Sequence, residues 1–364
     1  MKMFKRHYQD VQGGYLMPDS PILKEIKIEV THNCNLKCTH CSSVAGENCF
    51  QQMSWEDCQK ILDQASDMNV QDIAFSGGEP LLWSHLPDAV EYSKKLGFNV
   101  TVYSTGFIDN LETVLCNLNK ASLDRIIFSL YAGTEDIHDD ITKVDGSFIS
   151  TIKAIGLALI RIGNVELHFV PMKQNFMRLP DVVNMANILG IQKVSVLRLV
   201  PQGRGSSELA LDIDETVALR RIISDLRSKG HNIRLGSPYS IMCFSDSSHC
   251  EAAITKMTVS PSLFIAPCDA FKQITASSLS IKDSFENLRT CSLQDAWENS
   301  NYFNAVRNHI VSSPDDKCDA CSVFNKCYSG CLAQKVHMTG KLSKMPDPLC
   351  LRQSHFYAIQ ENRI

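Results

Sequence analysis

The sequence contains no basic block and no basic stripe, and its net charge of −4 with a pI near 6.3 argues against a nucleic acid or an anionic membrane as partner. Nor is there a run approaching the ~18 apolar residues that a membrane span requires. The opening stretch, MKMFKRHYQDVQGGYLMPDS, carries charges and glycines where a signal peptide needs an apolar core, so a cytoplasmic protein is expected. No internal repeat or low-complexity segment points to a solenoid or a tail. Cysteine, by contrast, is abundant, with 15 among 364 residues. A disulfide framework does not account for them in a reducing compartment, and their short spacings read as metal ligation. With 44% hydrophobic residues, the chain is long enough to bury a sizeable core in two or three domains.

From Lys24 to about Gly205, short apolar or alternating segments are each followed by a helical pattern, the signature of repeated βα units around a parallel sheet. Six strands are expected: Glu25–Val30, Asp72–Ser76, Asn99–Ser104, Arg125–Leu130, Val165–Val170 and Val194–Val200. Ser54 and Asp57 form a capping pair ahead of a helix that carries Cys58, Ile61, Leu62 and Ala65 on one face. Beyond Gly205 one helix, Thr216–Ser228, precedes Ser-, Pro- and Cys-rich sequence without a sustained period. These changes divide the chain into an arm (1–22), a βα domain (23–235) and a cysteine-rich domain (236–364).

The first expected strand runs into Thr31-His-Asn-Cys34-Asn-Leu-Lys-Cys38-Thr-His-Cys41, three cysteines in one loop at the C-terminal end of a strand, where barrel enzymes build their sites. Cubane clusters usually have four thiolate ligands, so three leave one iron open to a substrate or cofactor. A zinc site is the rival reading. The C-x3-C-x2-C spacing resembles the defining motif of the radical S-adenosylmethionine (SAM) superfamily. The resemblance implies that Cys34, Cys38 and Cys41 hold a [4Fe–4S] cluster whose open iron chelates the amino and carboxylate groups of SAM. His40 stands where that family more often has an aromatic residue.

Ser76-Gly-Gly-Glu-Pro80 closes the second strand, and paired glycines permit close backbone approach. In the family this loop contacts the methionine amino group, which carries Gly77, Gly78 and Glu79 over as cofactor contacts. Ser104 and Ser129 fall where the family contacts the ribose. Arg198 could hold the SAM carboxylate or be paired within the barrel. His138-Asp139-Asp140 and Gly146-Ser147-Phe148 resemble the family's usual segment after the fourth strand, and a structural role is expected for them.

The C-terminal region holds Cys318, Cys321, Cys327 and Cys331 in C-x2-C-x5-C-x3-C spacing, with Cys243, Cys250 and Cys268 before and Cys350 after. Eight thiols suffice for two four-ligand clusters; a pair of zinc knuckles is the alternative. The arrangement resembles the SPASM domain of peptide- and protein-modifying radical SAM maturases. By that resemblance, Cys243, Cys250, Cys268 and Cys331 bind one auxiliary cluster and Cys318, Cys321, Cys327 and Cys350 the other. Leu263 stands where the pattern has a glycine, so the turn there is expected to use Pro261-Ser262. Asp269, next to Cys268, resembles the base of anaerobic sulfatase maturases, against a structural role in the cluster loop. Of the unassigned thiols, Cys58 and Cys116 are expected in the core, and Cys49 and Cys291 are not expected to act.

The expected architecture is α/β, a partial (β/α)6 TIM-like barrel followed by a small SPASM domain. What the resemblance implies is a radical SAM oxidoreductase with SAM and three [4Fe–4S] clusters, fed by a flavodoxin- or ferredoxin-type electron donor. Its substrate class would be a ribosomally made peptide, the alternative being oxidation or epimerisation of a small molecule such as a sugar or cofactor precursor. A non-catalytic iron–sulfur redox sensor is the reading from another class.

Overall fold

Alternation along each strand of the βα domain writes an apolar face and a polar face onto one sheet. The computed structural model describes residues 21–353 apart from 245, 247, 248 and 313; most of the expected arm therefore lies outside the described residues. Seven parallel strands, β1 (Glu25–Thr31), β2 (Asp72–Gly77), β3 (Asn99–Ser104), β4 (Arg125–Ser129), β5 (Val165–Phe169), β6 (Val194–Val196) and β7 (Ile233–Leu235), lie side by side in chain order. This is a TIM-like partial barrel. Ile26, Ile28, Val30, Val100, Val102, Ile126, Phe128, Leu167, Phe169 and Val196 are fully buried and belong to the core that includes the helices. Each stabilises by roughly 1.5–3 kcal/mol. The alternate positions, brought level by the register, are Lys27, Glu29, Thr101, Arg125, Ser129, Glu166, His168 and Ser195. The polar face lines the inside of the barrel.

The helices α1 (Trp55–Asp67), α2 (Leu86–Lys95), α3 (Leu111–Lys120), α4 (Glu135–Thr142), α5 (Ser147–Arg161), α6 (Leu179–Ile188) and α7 (Ile213–Ser228) connect the strands. The Ser54 cap of α1 is present, accepting from Asp57 N, and Cys58, Ile61, Leu62 and Ala65 form its buried face. Helix α7 starts three residues earlier than expected because Asp212 and Glu215 make a capping box. Two regions depart further from the sequence-based expectation. β6 stops at Val196 rather than Val200, since Arg198 and the Leu199 carbonyl are bonded to the C-terminal domain through Asp347 and Gln334. And the sheet does not end at Leu235: β8 (Lys256–Val259) pairs parallel with the free edge of β1, and β9 (Ile265–Ala266) pairs antiparallel with β8.

The β8–β9 hairpin explains the departure at Leu263. Pro261-Ser262 lie within the turn, as expected, but Leu263 itself takes φ +67°, the left-handed position that a three-residue hairpin loop gives to glycine. Burial of its side chain to 2% exposure offsets the conformational cost of roughly 1–2 kcal/mol.

Candidate active site

The Cys34–Cys41 loop leaves β1 and is fastened on three sides. Lys37 N and Thr39 N donate to the Thr142 and Ile141 carbonyls at the end of α4 (both 2.9 Å). Gly78 N donates to Thr31 O (2.7 Å) and Glu79 N to Asn33 O (2.8 Å). The approach is so close that a Cβ on Gly77 would lie 2.2 Å from Thr31 O and one on Gly78 2.3 Å from Asn33 O. Only glycines fit there. On the third side the loop after β6 reaches over: Arg204 N donates to Cys41 O (2.9 Å), Arg204 Nε to Cys38 O (2.8 Å) and Arg204 Nη1 to Ala45 O (2.8 Å).

Cys34 and Cys38 are buried and Cys41 half-buried, all as free thiols. Burial, and then the neighbouring Glu79 charge, pushes the Cys34 thiol up to about 12; Cys38 is pushed further by burial and by Cys34 and Cys41 beside it. A bound metal reverses that logic, because its charge stabilises the thiolate. Among the described residues no three Cys, His, Asp or Glu converge as ligands of a single ion would. Cubane thiolates bind separate irons, so they are spread around a cluster rather than gathered on one point.

Glu79 is wholly buried, and its carboxylate accepts from Leu81 N, Ser104 Oγ, Thr105 N and Thr105 Oγ1. Burial raises its pKa, while the bonds from Thr105, Leu81 and Ser104 oppose the rise. Glu79 thereby ties the loop after β2 to the loop after β3. Ser104 has spent its single donor on Glu79 and accepts from Gly106 N, so a further ligand could only donate to it. Ser129 hydrogen-bonds Tyr131, whose ring stacks on His138 (5.4 Å) and meets His40 edge-on (4.6 Å). Burial, with Arg204 and His138 alongside, lowers His40 to about 4. Asp139 caps α5 by accepting from Gly146 N, Phe148 N and Ser147 Oγ, the structural role expected of that segment.

Arg198 requires a correction as a cofactor contact. Its Nη1 and Nη2 donate to the two oxygens of Asp347 (2.8 and 2.9 Å), with both side chains at or below 5% exposure. The same carboxylate accepts from Cys331 N and Leu349 N (both 2.9 Å), so the internal pair, the other reading open from the sequence, is the one formed.

The auxiliary cysteines gather in two groups. Cys268 feels the charges of Cys250 and Cys331, and Cys350 those of Cys318 and Cys321. Cys243 follows the Ser237–Met242 turn at φ +54° and lies beside Cys327, whose carbonyl accepts from Ser240 Oγ (2.7 Å). Asp269 lies at the seam between barrel and auxiliary domain. Lys27 Nζ on β1 donates to its Oδ2 (2.7 Å), Gln202 Nε2 donates to its carbonyl (2.7 Å), and Oδ1 has no hydrogen-bond partner among the described residues. Next to it, Lys272 donates to Glu29 Oε1 (2.7 Å) and Ser43 Oγ (2.8 Å), and Gln273 Nε2 to Ser42 O (3.0 Å). The first cysteine loop and the Cys268 segment are thus one bonded unit. Lys27, Gln202 and Arg204 had no motif to mark them. Of the unassigned thiols, Cys58 is buried and Cys116 half-buried; Cys49 and Cys291 donate to local carbonyls.

Residues 28–185 match the Radical SAM superfamily profile. This stretch is a radical SAM domain. The matched stretch contains the Cys34, Cys38 and Cys41 loop, the Gly77-Gly78-Glu79 turn and the strands that carry them, and domains of this superfamily use SAM with a [4Fe–4S] cluster. The resemblance runs beyond that domain. The mycofactocin maturase MftC of Mycobacterium tuberculosis H37Rv is 26% identical over 339 residues, covering 92% of this chain and 84% of its own. The PqqA peptide cyclase of Rhizobium meliloti is 25% identical over 336 residues, 89% of this chain and 86% of the cyclase. Among solved structures, Streptococcus suis SuiB bound to SAM superposes with TM-score 0.72 at 18% identity, covering 92% of this chain and 78% of SuiB. anSMEcpe with bound SAM and a peptide gives 0.71 at 15% identity, with 93% and 97% covered. These structures share the fold of this chain over more than nine-tenths of its length. Among the described residues no helix is long and apolar enough to cross a membrane.

Proposed function

We propose that this radical SAM enzyme modifies a ribosomally made peptide in the cytoplasm, receiving electrons from a flavodoxin- or ferredoxin-type donor. The observation that carries the reading is similarity to MftC and the PqqA peptide cyclase over 92% and 89% of the chain, well beyond the 28–185 stretch of the radical SAM domain. Cys34, Cys38 and Cys41 would hold the SAM-binding cluster, and the remaining eight ligands, from Cys243 to Cys350, two auxiliary clusters. When bound, SAM and its cluster supply a 5′-deoxyadenosyl radical that takes hydrogen from substrate. The fit rests on the loop itself: three free thiols side by side and a glycine cradle held against their backbone. Gly77 and Gly78 would present backbone to the cofactor, with Glu79 holding the turn's shape. Ser104 would accept from the ribose, and Ser129 would stand beside it.

Asp269 would take the substrate proton at Oδ1, while Lys27 and Gln202 hold its other oxygen and its carbonyl in place. The domain division at residue 235 then separates cofactor activation from substrate oxidation. The test is to incubate the reconstituted protein with SAM, reductant and the precursor peptides encoded near its gene, following peptide mass and 5′-deoxyadenosine. A mass change that requires SAM supports the proposal. Cofactor cleavage with every peptide unaltered, but with a sugar or cofactor precursor consumed, would replace it by small-molecule chemistry.

A further inference from the structure

Most charged side chains along the barrel interior and its seam with the C-terminal domain come in pairs. Lys27 binds Asp269, Lys272 binds Glu29, Arg125 and Lys193 share Glu166, and Arg198 binds Asp347. Arg204 is different. Its guanidinium is half-buried against the first cysteine loop, and its hydrogen bonds run to the Cys38 and Ala45 carbonyls. Among the described residues no carboxylate lies within ion-pair distance of it. Carbonyl dipoles satisfy the N–H groups but do not balance a full charge, which in this half-buried setting water screens only in part. The compensating charge belongs where the thiols are.

The surroundings sharpen the assignment. Arg204 is bonded to the loop that carries Cys34, Cys38 and Cys41 at two of those residues, the Cys38 and Cys41 carbonyls. The backbone makes the placement firm. Gly203, at φ +62°, would put a Cβ 2.5 Å from Cys41 O, and Gln202 on its other side is bonded to the Asp269 carbonyl. The backbone that carries Arg204 is therefore held against the first cysteine loop on one side and the Cys268 segment on the other, while the bonds to the Cys38 and Ala45 carbonyls hold the guanidinium.

A [4Fe–4S] cluster with three thiolate ligands is anionic when oxidised and gains another negative charge on reduction. Net charge and hydrogen bonding around a cluster are among the factors that set its potential. We propose that Arg204 is the built-in counter-charge of the SAM-binding cluster, stabilising its reduced state and so easing electron transfer from the donor. The electron comes from that donor and leaves in the reductive cleavage of SAM; Arg204 itself exchanges neither electron nor proton. This rests on the radical SAM cluster alone and not on the peptide substrate.

The experiment compares Arg204→Lys with Arg204→Gln in the full-length, anaerobically reconstituted protein. Both lose the two-pronged clamp, and only lysine keeps the charge. Iron content is measured first. The midpoint of the SAM-responsive electron paramagnetic resonance signal, which reports the cluster with the open iron, is then found by redox titration. Arg204→Gln should shift negative, with the reduced-to-oxidised ratio at a fixed potential falling about tenfold, the order expected for one partly screened unit charge beside the cluster. Arg204→Lys should stay near the wild-type midpoint. Loss of the signal in Arg204→Gln alone would also support the charge, as a requirement for cluster retention. Equal midpoints in the two variants, or loss of the cluster in both, would overturn the proposal and leave Arg204 as a mechanical clamp.

Discussion

Removing one partner of the buried Arg198–Asp347 pair should disable the join between barrel and auxiliary domain. In Arg198→Met the Asp347 carboxylate, wholly buried, keeps only the amides of Cys331 and Leu349 as donors. Leaving one charge of a buried pair uncompensated costs about 3–5 kcal/mol. The Asp347 carbonyl also accepts from Cys350 N (2.9 Å), so displacing this residue disturbs two auxiliary cysteines together, Cys331 and Cys350. The double variant Arg198→Met/Asp347→Asn removes both charges and retains one carbonyl oxygen for one of the two amides. Its remaining cost is one unsatisfied backbone amide and the buried side-chain –NH2 that faces it, neutral groups that each cost less than an unpaired buried charge, so it should be more stable than Arg198→Met alone. Urea denaturation midpoints of the iron-loaded proteins, with iron measured before and after, provide the assay. If Arg198→Met loses less than ~1 kcal/mol, or the double variant is no better than the single, the pair does not hold the join and the reasoning fails.

Three further outcomes are expected. Replacing Cys34, Cys38 and Cys41 together by Ala should lower bound iron from about twelve to about eight atoms per chain and abolish 5′-deoxyadenosine formation, whereas stoichiometric zinc without sulfide in the wild type would sink the cluster assignment. Asp269→Ala should leave 5′-deoxyadenosine formation and iron content largely intact while product falls by roughly 10²-fold or more; normal turnover would make Asp269 structural. Burial alone would raise the Glu29 pKa, but Lys272, His32 and Ser43 together hold it far below its ordinary 4.5. A depressed carboxyl contributes stability that is complete above its unfolded value and lost as pH falls toward the folded one. The stability gap between wild type and Glu29→Gln should therefore be level above about pH 5.5 and narrow steadily in stronger acid, and a gap that stays constant to pH 3 would refute the assignment.

Much of the site was legible from short stretches. The three-cysteine loop and the Gly-Gly-Glu turn are each written in a few consecutive residues at the end of an alternating strand, and local sterics and metal spacing constrain them directly. The Ser54 cap and the buried face of α1 follow from helical period in the same way. Strand ends were less legible. Arg198–Val200 alternate as a strand would, yet their hydrogen bonds go to Asp347 and Gln334, whose proximity no local pattern reveals. β8 was missed because four residues are too few to establish a period.

The sequence by itself determined the chemistry available: which strands are apolar on one side, where three thiols share a loop, and which turn needs glycine, since each depends on residues within a few positions of one another. Only the tertiary structure decided how that chemistry is wired. Lys27 meets Asp269 across 242 positions because β8 closes against the edge of β1 and carries the Cys268 segment over the barrel. Arg198 meets Asp347 across 149, and Arg204 lies on a cysteine loop 166 residues earlier. Pairing two such charges requires strand order, register and domain packing to bring them within 3 Å, and none of these leaves a periodic trace in the chain.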